Sequence, residues 1–310
     1  MKKIINYGNH YISHDDILSV TNALKEKKIT QGHIVERFEN KLNLFFNSKY
    51  TLAVSSGTAA LHLSMLSLNL SKKDKVITSP ISFLASANCV EYVGAKVDFC
   101  DIDKNNYTMN PNLLEDKLKK DKNIKAAIVV DYAGHPAAWE DFLYLKKKYK
   151  IILVNDNCHA FGSKFNNDED YAIKYADIVT QSFHPVKQIT TGEGGAIITN
   201  NKNLYSKAKL LRSHGMIRND NKNTEPWIYS MNELGYNYRL PDINCALGIS
   251  QLKKIKIFIK KRRQIAEIYT KNLSLDCIKL PKNDKNIFHS HHLYPIQINF
   301  KNLKIDKKTF

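Results

Sequence analysis

Lys187 and Asp156 are the residues of this chain whose types and settings point most directly to chemistry. Asp156 stands just after the apolar run 151-IILV-154, in 155-NDNCHAFG-162. A carboxylate at the end of a buried strand is costly unless something pairs with it. A protonated pyridine nitrogen is one such partner, and its positive charge makes the ring an electron sink. An Asp that merely caps the following segment is the plainer alternative. Lys187 follows another apolar run, 178-IVTQSF-183, within 182-SFHPVKQITTGEGGA-196. A lysine on a loop above a sheet end can condense with an aldehyde cofactor. To serve as nucleophile and proton carrier it must be tuned down from a free value near ~10.4. In a lysine-rich chain, a solvated surface position is the ordinary expectation for any one lysine. Lys187 stands above that expectation because it and Asp156 follow two separate strand ends, 31 residues apart (187 − 156).

Other strand ends carry suitable groups. In 55-SSGTAAL-61 a glycine, Gly57, lets the backbone approach an anion, Thr58 offers a hydroxyl, and the opening helix offers free N–H groups. An ordinary Ser cap followed by a Gly turn has the same appearance. Phe83, in 79-SPISFLASAN-88, is placed to stack on a cofactor ring, although a core Phe on a helix is the commoner use of an isolated aromatic. His159 lies close after Asp156 and reaches either such a ring or the core. The 192-GEGG-195 segment leads into a strand rather than out of one, so it is not a dinucleotide fingerprint.

The elements that must position these groups alternate. Buried strands are expected at 51–54, 75–78, 96–99, 126–130, 151–154, 178–183 and 195–199, with helices at 58–69, 82–93, 111–120 and 139–149. That order predicts an α/β fold, a mainly parallel sheet covered on both faces by helices. The last two strands are joined without a helix, which predicts an antiparallel neighbour. Two helices precede the sheet. The first is capped by Ser13 and Asp16 with Ile17, Val20 and Leu24 at helical spacing; the second covers 34–47. From Asp242 to about Ser274 one long helix is expected, then a strand at 293–300. A single strand is not a stable domain, so the C-terminal unit reads as incomplete. The expected division is 1–245, an N-terminal arm and large domain, and 246–310, a linking helix and the start of a small α/β domain.

Bulk properties bound the reading without deciding it. The 310 residues carry a formal net charge of +17, which invites a nucleic-acid or membrane partner. The lysines nevertheless fall in runs such as 117-KLKKDK-122 and 146-KKKYK-150, where amphipathic helices end, so solvated surface accounts for them. Neither a nucleic acid nor a membrane is expected as partner. Five cysteines without a C-x-x-C pair suggest reduced thiols, and neither a metal site nor a disulfide framework. The start, MKKIINYGNH, has no long apolar stretch, so a cytoplasmic protein is expected.

Taken together, the segments 55-SSGTAAL-61, 79-SPISFLASAN-88, 155-NDNCHAFG-162, 182-SFHPVKQITTGEGGA-196, 211-LRSHGM-216 and 235-GYNYRLPDINCALG-248 resemble the DegT/StrS aminotransferases. These are fold-type-I, aspartate-aminotransferase-like enzymes that use pyridoxal 5′-phosphate. The resemblance implies that Lys187 anchors that cofactor, Asp156 keeps its ring nitrogen protonated, Phe83 covers its face and His159 sits at its edge. It implies that Gly57, Thr58, Ala59 and Ser182 hold the phosphate region, joined by Asn237 of a partner subunit in a homodimer. Tyr7 and Lys27, Lys28, Ile29 and Thr30, together with Gly57, Ser182 and Asn237, are implied to touch the substrate. Further segments, 29-ITQG-32, 131-DYAG-134 and 291-HHLYPI-296, resemble the members acting on a UDP-linked 4-keto-6-deoxy-N-acetylhexosamine, with L-glutamate as donor. Perosamine synthases share many of them. Two departures stand out: NDNCH replaces a pattern with two small residues before its His or Gln, and family members continue beyond this chain's end. An inactive truncated homologue is one alternative; a sugar dehydrase is disfavoured because those relatives carry His in place of the lysine.

Overall fold

The computed structural model describes residues 8–218, 225, 227–273, 275–282, 284–303 and 306–309. Its main sheet has seven strands: β1 Tyr50–Val54, β2 Lys75–Thr78, β3 Lys96–Phe99, β4 Ile124–Val130, β5 Ile152–Asp156, β6 Ile178–Ser182 and β7 Gly195–Thr199. Their spatial order is β1-β7-β6-β5-β4-β2-β3. The five strands from β3 to β6 pair in parallel, whereas β7 runs antiparallel to both β6 and β1. The helix-free link before β7 therefore produces the neighbour its length predicts.

Helices cover both faces. Along the chain they are α1 His14–Leu24, α2 His33–Phe46, α3 Gly57–Ser67, α4 Ala85–Glu91, α5 Pro111–Lys120, α6 Trp139–Tyr149, α7 Tyr171–Tyr175, α8 Lys202–Arg212, α9 Asp242–Leu252 and α10 Ile255–Asn272. Strand side chains alternate between two cores. Ala53, Ile77, Val129, Leu153, Val179 and Ile198 meet α2, α5, α6 and α9, while Leu52, Val54, Val76, Ile128, Val154 and Ile197 meet α3, α4 and α8. Burial on both faces explains why these strands read as continuous apolar runs.

Register gathers the strand ends. Val54 faces Gly195, which faces Ser182; Val130 faces Asp156, which faces Thr180. The carboxyl ends of β1, β4, β5 and β6 thus share one rim, where ligands of open α/β sheets gather.

Four expectations change. The helix expected from Asp242 to about Ser274 is two helices with a turn at Lys253 and Lys254. No Pro or Gly causes the break. Instead Lys254 reaches Asp16 Oδ1 at 2.5 Å and Ser13 Oγ at 2.8 Å, while α10 turns to seat Ile259 on Gly162, where φ is +76° and any β-carbon would collide with Ile259 Cδ1. The strand expected at 293–300 shrinks to Gln297–Ile298, paired with Ile278–Lys279. Its upstream backbone is spent elsewhere: Leu293 N–H donates to Ala133 O, and Arg262 and Arg263 take the carbonyls of His289, His291 and His292. On α1, Ile17 and Leu24 face outward, and the buried positions are Asp16 and Ala23. The expected helix over 82–93 is shorter, with Phe83 and Leu84 ahead of its first turn.

Candidate active site

The rim is built from five loops, those after β1, β2, β4, β5 and β6. At the end of β5, Asp156 is 5% exposed. Ser86, in the first turn of α4, donates its hydroxyl to Asp156 Oδ2 at 2.6 Å, and the Cys158 N–H approaches Oδ1 at 3.3 Å. Both hydrogen-bond partners are neutral, so the buried negative charge has room for a cationic N–H, as a protonated pyridine supplies.

Behind Asp156 lies a second buried carboxylate, Asp131, just after β4. Its Oδ1 accepts from Ala137 N (2.8 Å) and Trp139 Nε1 (3.0 Å), and its Oδ2 from Asn155 Nδ2 (3.0 Å), Asn157 Nδ2 (2.9 Å) and the Tyr171 hydroxyl (2.9 Å). Burial still pushes its pKa up to about 6 against those donors. Because Asn155 and Asn157 flank Asp156, this network fixes the strand end that presents it. The strand-end signal that marks Asp156 in the sequence is present equally at Asp131, in 131-DYAG-134.

Lys187 is half-buried in a turn after β6, where its N–H donates to His184 O at 2.9 Å. Burial lowers its pKa; Cys158 and Asp156 pull it back up, and Arg262 pushes it further down. A lysine so placed yields a neutral amine more readily than one in solvent. Asp156 ends β5 and Lys187 follows β6, the parallel neighbour of β5, so both stand at the same rim. His159 is there too. Burial, and then Lys187, bring its pKa down to about 3, and its Nδ1 accepts the Ala133 N–H at 3.3 Å. Its ring lies 4.3 Å from that of His292 and 5.7 Å from that of Tyr132.

The anion cup is formed where α3 begins. Ser56 caps the helix by accepting the Ala59 N–H at 3.0 Å, and the Gly57 and Thr58 N–H groups belong to the same first turn. A β-carbon on Gly57 would stand 2.8 Å from Ser182 Cβ, so only glycine lets the two loops close together. Phe83 is 61% exposed at the rim, an aromatic face open for stacking rather than a core residue.

These residues fit pyridoxal phosphate: a cup for a phosphate, an acid for a ring nitrogen, an amine for an aldehyde and an open aromatic face. Other expected residues lie apart. Asn237 is exposed on a segment bridged to Ser213, and among the described residues no hydrogen bond ties it to Lys187, Asp156 or Gly57. Lys27 to Thr30 are exposed between α1 and α2, anchored by Ile29 O accepting Asp242 N–H at 3.0 Å. Tyr7 lies outside the described residues. A cavity of about 380 Å³ beside Gln31, Tyr50 and Arg212 contains none of the rim chemistry. Ser86, Arg262 and His292 were not selected from sequence, because side chains far apart in the chain carry no spacing signal. Among the described residues there is no His, Cys, Asp and Glu group fit for a metal, and no helix long and apolar enough to cross a membrane.

Comparison with known proteins bears on the family and the fold. A model of the DegT/DnrJ/EryC1/StrS aminotransferase family matches residues 10–309. The chain is 42% identical over 298 residues to a UDP-4-amino-4,6-dideoxy-N-acetyl-beta-L-altrosamine transaminase of Campylobacter jejuni, covering 94% of this chain and 76% of the relative. It is 34% identical over 267 residues to a GDP-perosamine synthase of Escherichia coli O157:H7, covering 86% and 70%. Among solved structures it superimposes with a TM-score of 0.90 on Helicobacter pylori PseC, an aminotransferase involved in the biosynthesis of pseudoaminic acid. The two are 33% identical over 96% of this chain and 79% of that one.

Proposed function

Because the chain belongs to the DegT/DnrJ/EryC1/StrS aminotransferase family, we propose a specific reaction for it. It transfers the amino group of L-glutamate to the C4 keto group of a UDP-linked 4-keto-6-deoxy-N-acetylhexosamine, giving UDP-4-amino-4,6-dideoxy-N-acetyl-β-L-altrosamine. The transaminases of Campylobacter jejuni and Helicobacter pylori that carry that product's name, 42% and 36% identical to it, support the substrate. The observation that carries the chemistry is the half-buried Lys187 and the buried Asp156 at the ends of two neighbouring parallel strands on one sheet rim.

When bound, pyridoxal phosphate supplies an aldehyde carbon that accepts the amino group and a ring that delocalises electrons. Lys187 would hold that carbon through Nζ; once freed, its neutral amine would carry a proton from glutamate Cα to that carbon and, in the second half-reaction, from that carbon to the sugar carbon that gains the amine. Asp156, oriented by Ser86 and the Asp131 network, holds the ring N–H. Gly57, Thr58, Ala59 and Ser182 bind the phosphate, Phe83 shields the ring from water, and His159, kept neutral, lines its edge. In this reading Asn237 completes the cup from the second subunit of a homodimer, and Tyr7 with Lys27, Lys28, Ile29 and Thr30 holds the nucleotide-sugar. Residues 1–245 form the cofactor-binding unit and 246–310 the linking helix and the start of a small domain, in a cytoplasmic enzyme.

The test is a visible spectrum of the purified chain loaded with cofactor, before and after glutamate. A glutamate-sensitive band that Lys187→Ala abolishes is expected, followed by amination of the UDP-linked 4-keto sugar in preference to its GDP-linked counterparts. A lysine-linked band that persists in Lys187→Ala sinks the assignment.

A further inference from the structure

We infer that Arg262 is a positioning residue for Lys187: its guanidinium ties the turn that carries Lys187 to α10 and to the His291–His292 segment. The inference rests on the reading of Lys187 as the reactive amine.

The apolar stripe of α10 runs Ile255, Ile259, Ala266, all buried, and Arg262 falls on the same stripe, three residues after Ile259 and four before Ala266. A guanidinium on a packing face is costly unless its N–H groups are partnered. Here Nη1 donates to His291 O at 3.4 Å and His292 O at 3.2 Å, while Nη2 donates to Val186 O at 3.3 Å and Lys187 O at 3.4 Å. All four acceptors are main-chain carbonyls, drawn from two segments about a hundred residues apart in sequence. The rigid planar fork of Arg spans both; a single ammonium has no such geometry. Among the described residues no carboxylate forms an ion pair with Arg262, so its charge stays in the site.

Neighbouring features hold the latch in place. Ile259, one turn earlier, packs on Gly162, and Arg263 donates to His289 O at 3.1 Å while lying 4.2 Å over the Phe288 ring. The charged and titratable groups facing Lys187 are Asp156 from the end of β5, Cys158 and His159 from the loop after it, His292 from the C-terminal segment and Arg262 from α10. Arg262 is the permanent cation among them. It acts on Lys187 in two ways, fixing the backbone on which the amine rides and disfavouring the protonated amine through like charge.

The experiment uses the full chain, freed of bound aldehyde with hydroxylamine, as wild type, Arg262→Gln and Arg262→Lys. Trace acetylation of Lys187 with acetic anhydride from about pH 7 to about pH 11 gives the midpoint of its titration by peptide mass spectrometry. Hydrogen exchange reads the peptides spanning 184–188 and 289–293. Arg262→Gln is expected to raise the Lys187 midpoint by about 0.5 pH unit or more. It should also speed exchange in both segments by roughly five-fold or more. Arg262→Lys, which keeps the charge and loses the fork, should speed exchange likewise. A Lys187 midpoint unmoved in Arg262→Gln, or unchanged exchange in both variants, overturns the inference. Should Arg262→Gln fail to fold, exchange in Arg262→Lys decides. The transaminase reading fails separately, through the absence of a glutamate-sensitive band, whatever these variants show.

Discussion

Replacing Asp131 with Asn changes one atom and tests how the rim is held. Its two oxygens accept two and three hydrogen bonds, so whichever way the amide turns, its NH₂ faces at least two donors. Each buried donor left without an acceptor costs ~1–3 kcal/mol. A loss of about 3 kcal/mol at neutral pH is the expected result, or roughly 5 °C in Tm for a chain of this size. A second signature lies in pH. Burial raises the native pKa of Asp131 from 3.8 to about 6. A carboxyl raised in the native state stays protonated after the unfolded one has ionised. Its contribution is therefore greatest below 3.8 and declines as pH climbs to about 6, by ~3 kcal/mol in all. Asn has no such dependence, and the other carboxylates cancel in the comparison. The advantage of wild type over Asp131→Asn should thus widen as pH falls from about 6.5 to about 4.5. Urea unfolding followed by far-ultraviolet circular dichroism measures both quantities. A loss below about 1 kcal/mol at neutral pH, or an advantage flat across that pH range, refutes the account of the network.

Two further substitutions probe other links. Gly57→Val places side-chain carbon where Ser182 now packs, its β-carbon only 2.8 Å from Ser182 Cβ; pyridoxal phosphate affinity by fluorescence titration should fall by about ten-fold or more, the signature of a displaced anion cup. Lys254→Met leaves the fully buried Asp16 side chain without its ion-pair partner, which should cost ~3 kcal/mol in urea unfolding. Burial alone would raise the Asp16 pKa, but the hydrogen bonds from Lys254 and Ser13 outweigh it and lower the value to about 2. The stability Asp16 contributes is therefore present above 3.8 and lost as pH falls toward 2, and Lys254→Met should move acid unfolding to higher pH.

Much of this protein is legible along the chain. Strands buried on both faces announce themselves as apolar runs, and residues just beyond them inherit a place on the sheet rim, so Asp156, Lys187 and the Gly57 turn could be chosen by position. The helix-free link before β7 likewise foretold an antiparallel strand. What periodicity could not carry was any decision made by a distant partner. The α9–α10 break depends on Lys254 reaching Asp16, more than two hundred residues away, and on Gly162 receiving Ile259. The strand expected at 293–300 gave way because Ala133, Arg262 and Arg263 claim the backbone groups upstream of it. Ser86 and Asp131 likewise orient Asp156 through hydrogen bonds that join separate strand ends. Local sequence selects elements because backbone sterics and side-chain alternation act over a few residues. The setting of Lys187 and Asp156, by contrast, is a property of charges and hydrogen bonds that come within range only when the sheet has closed.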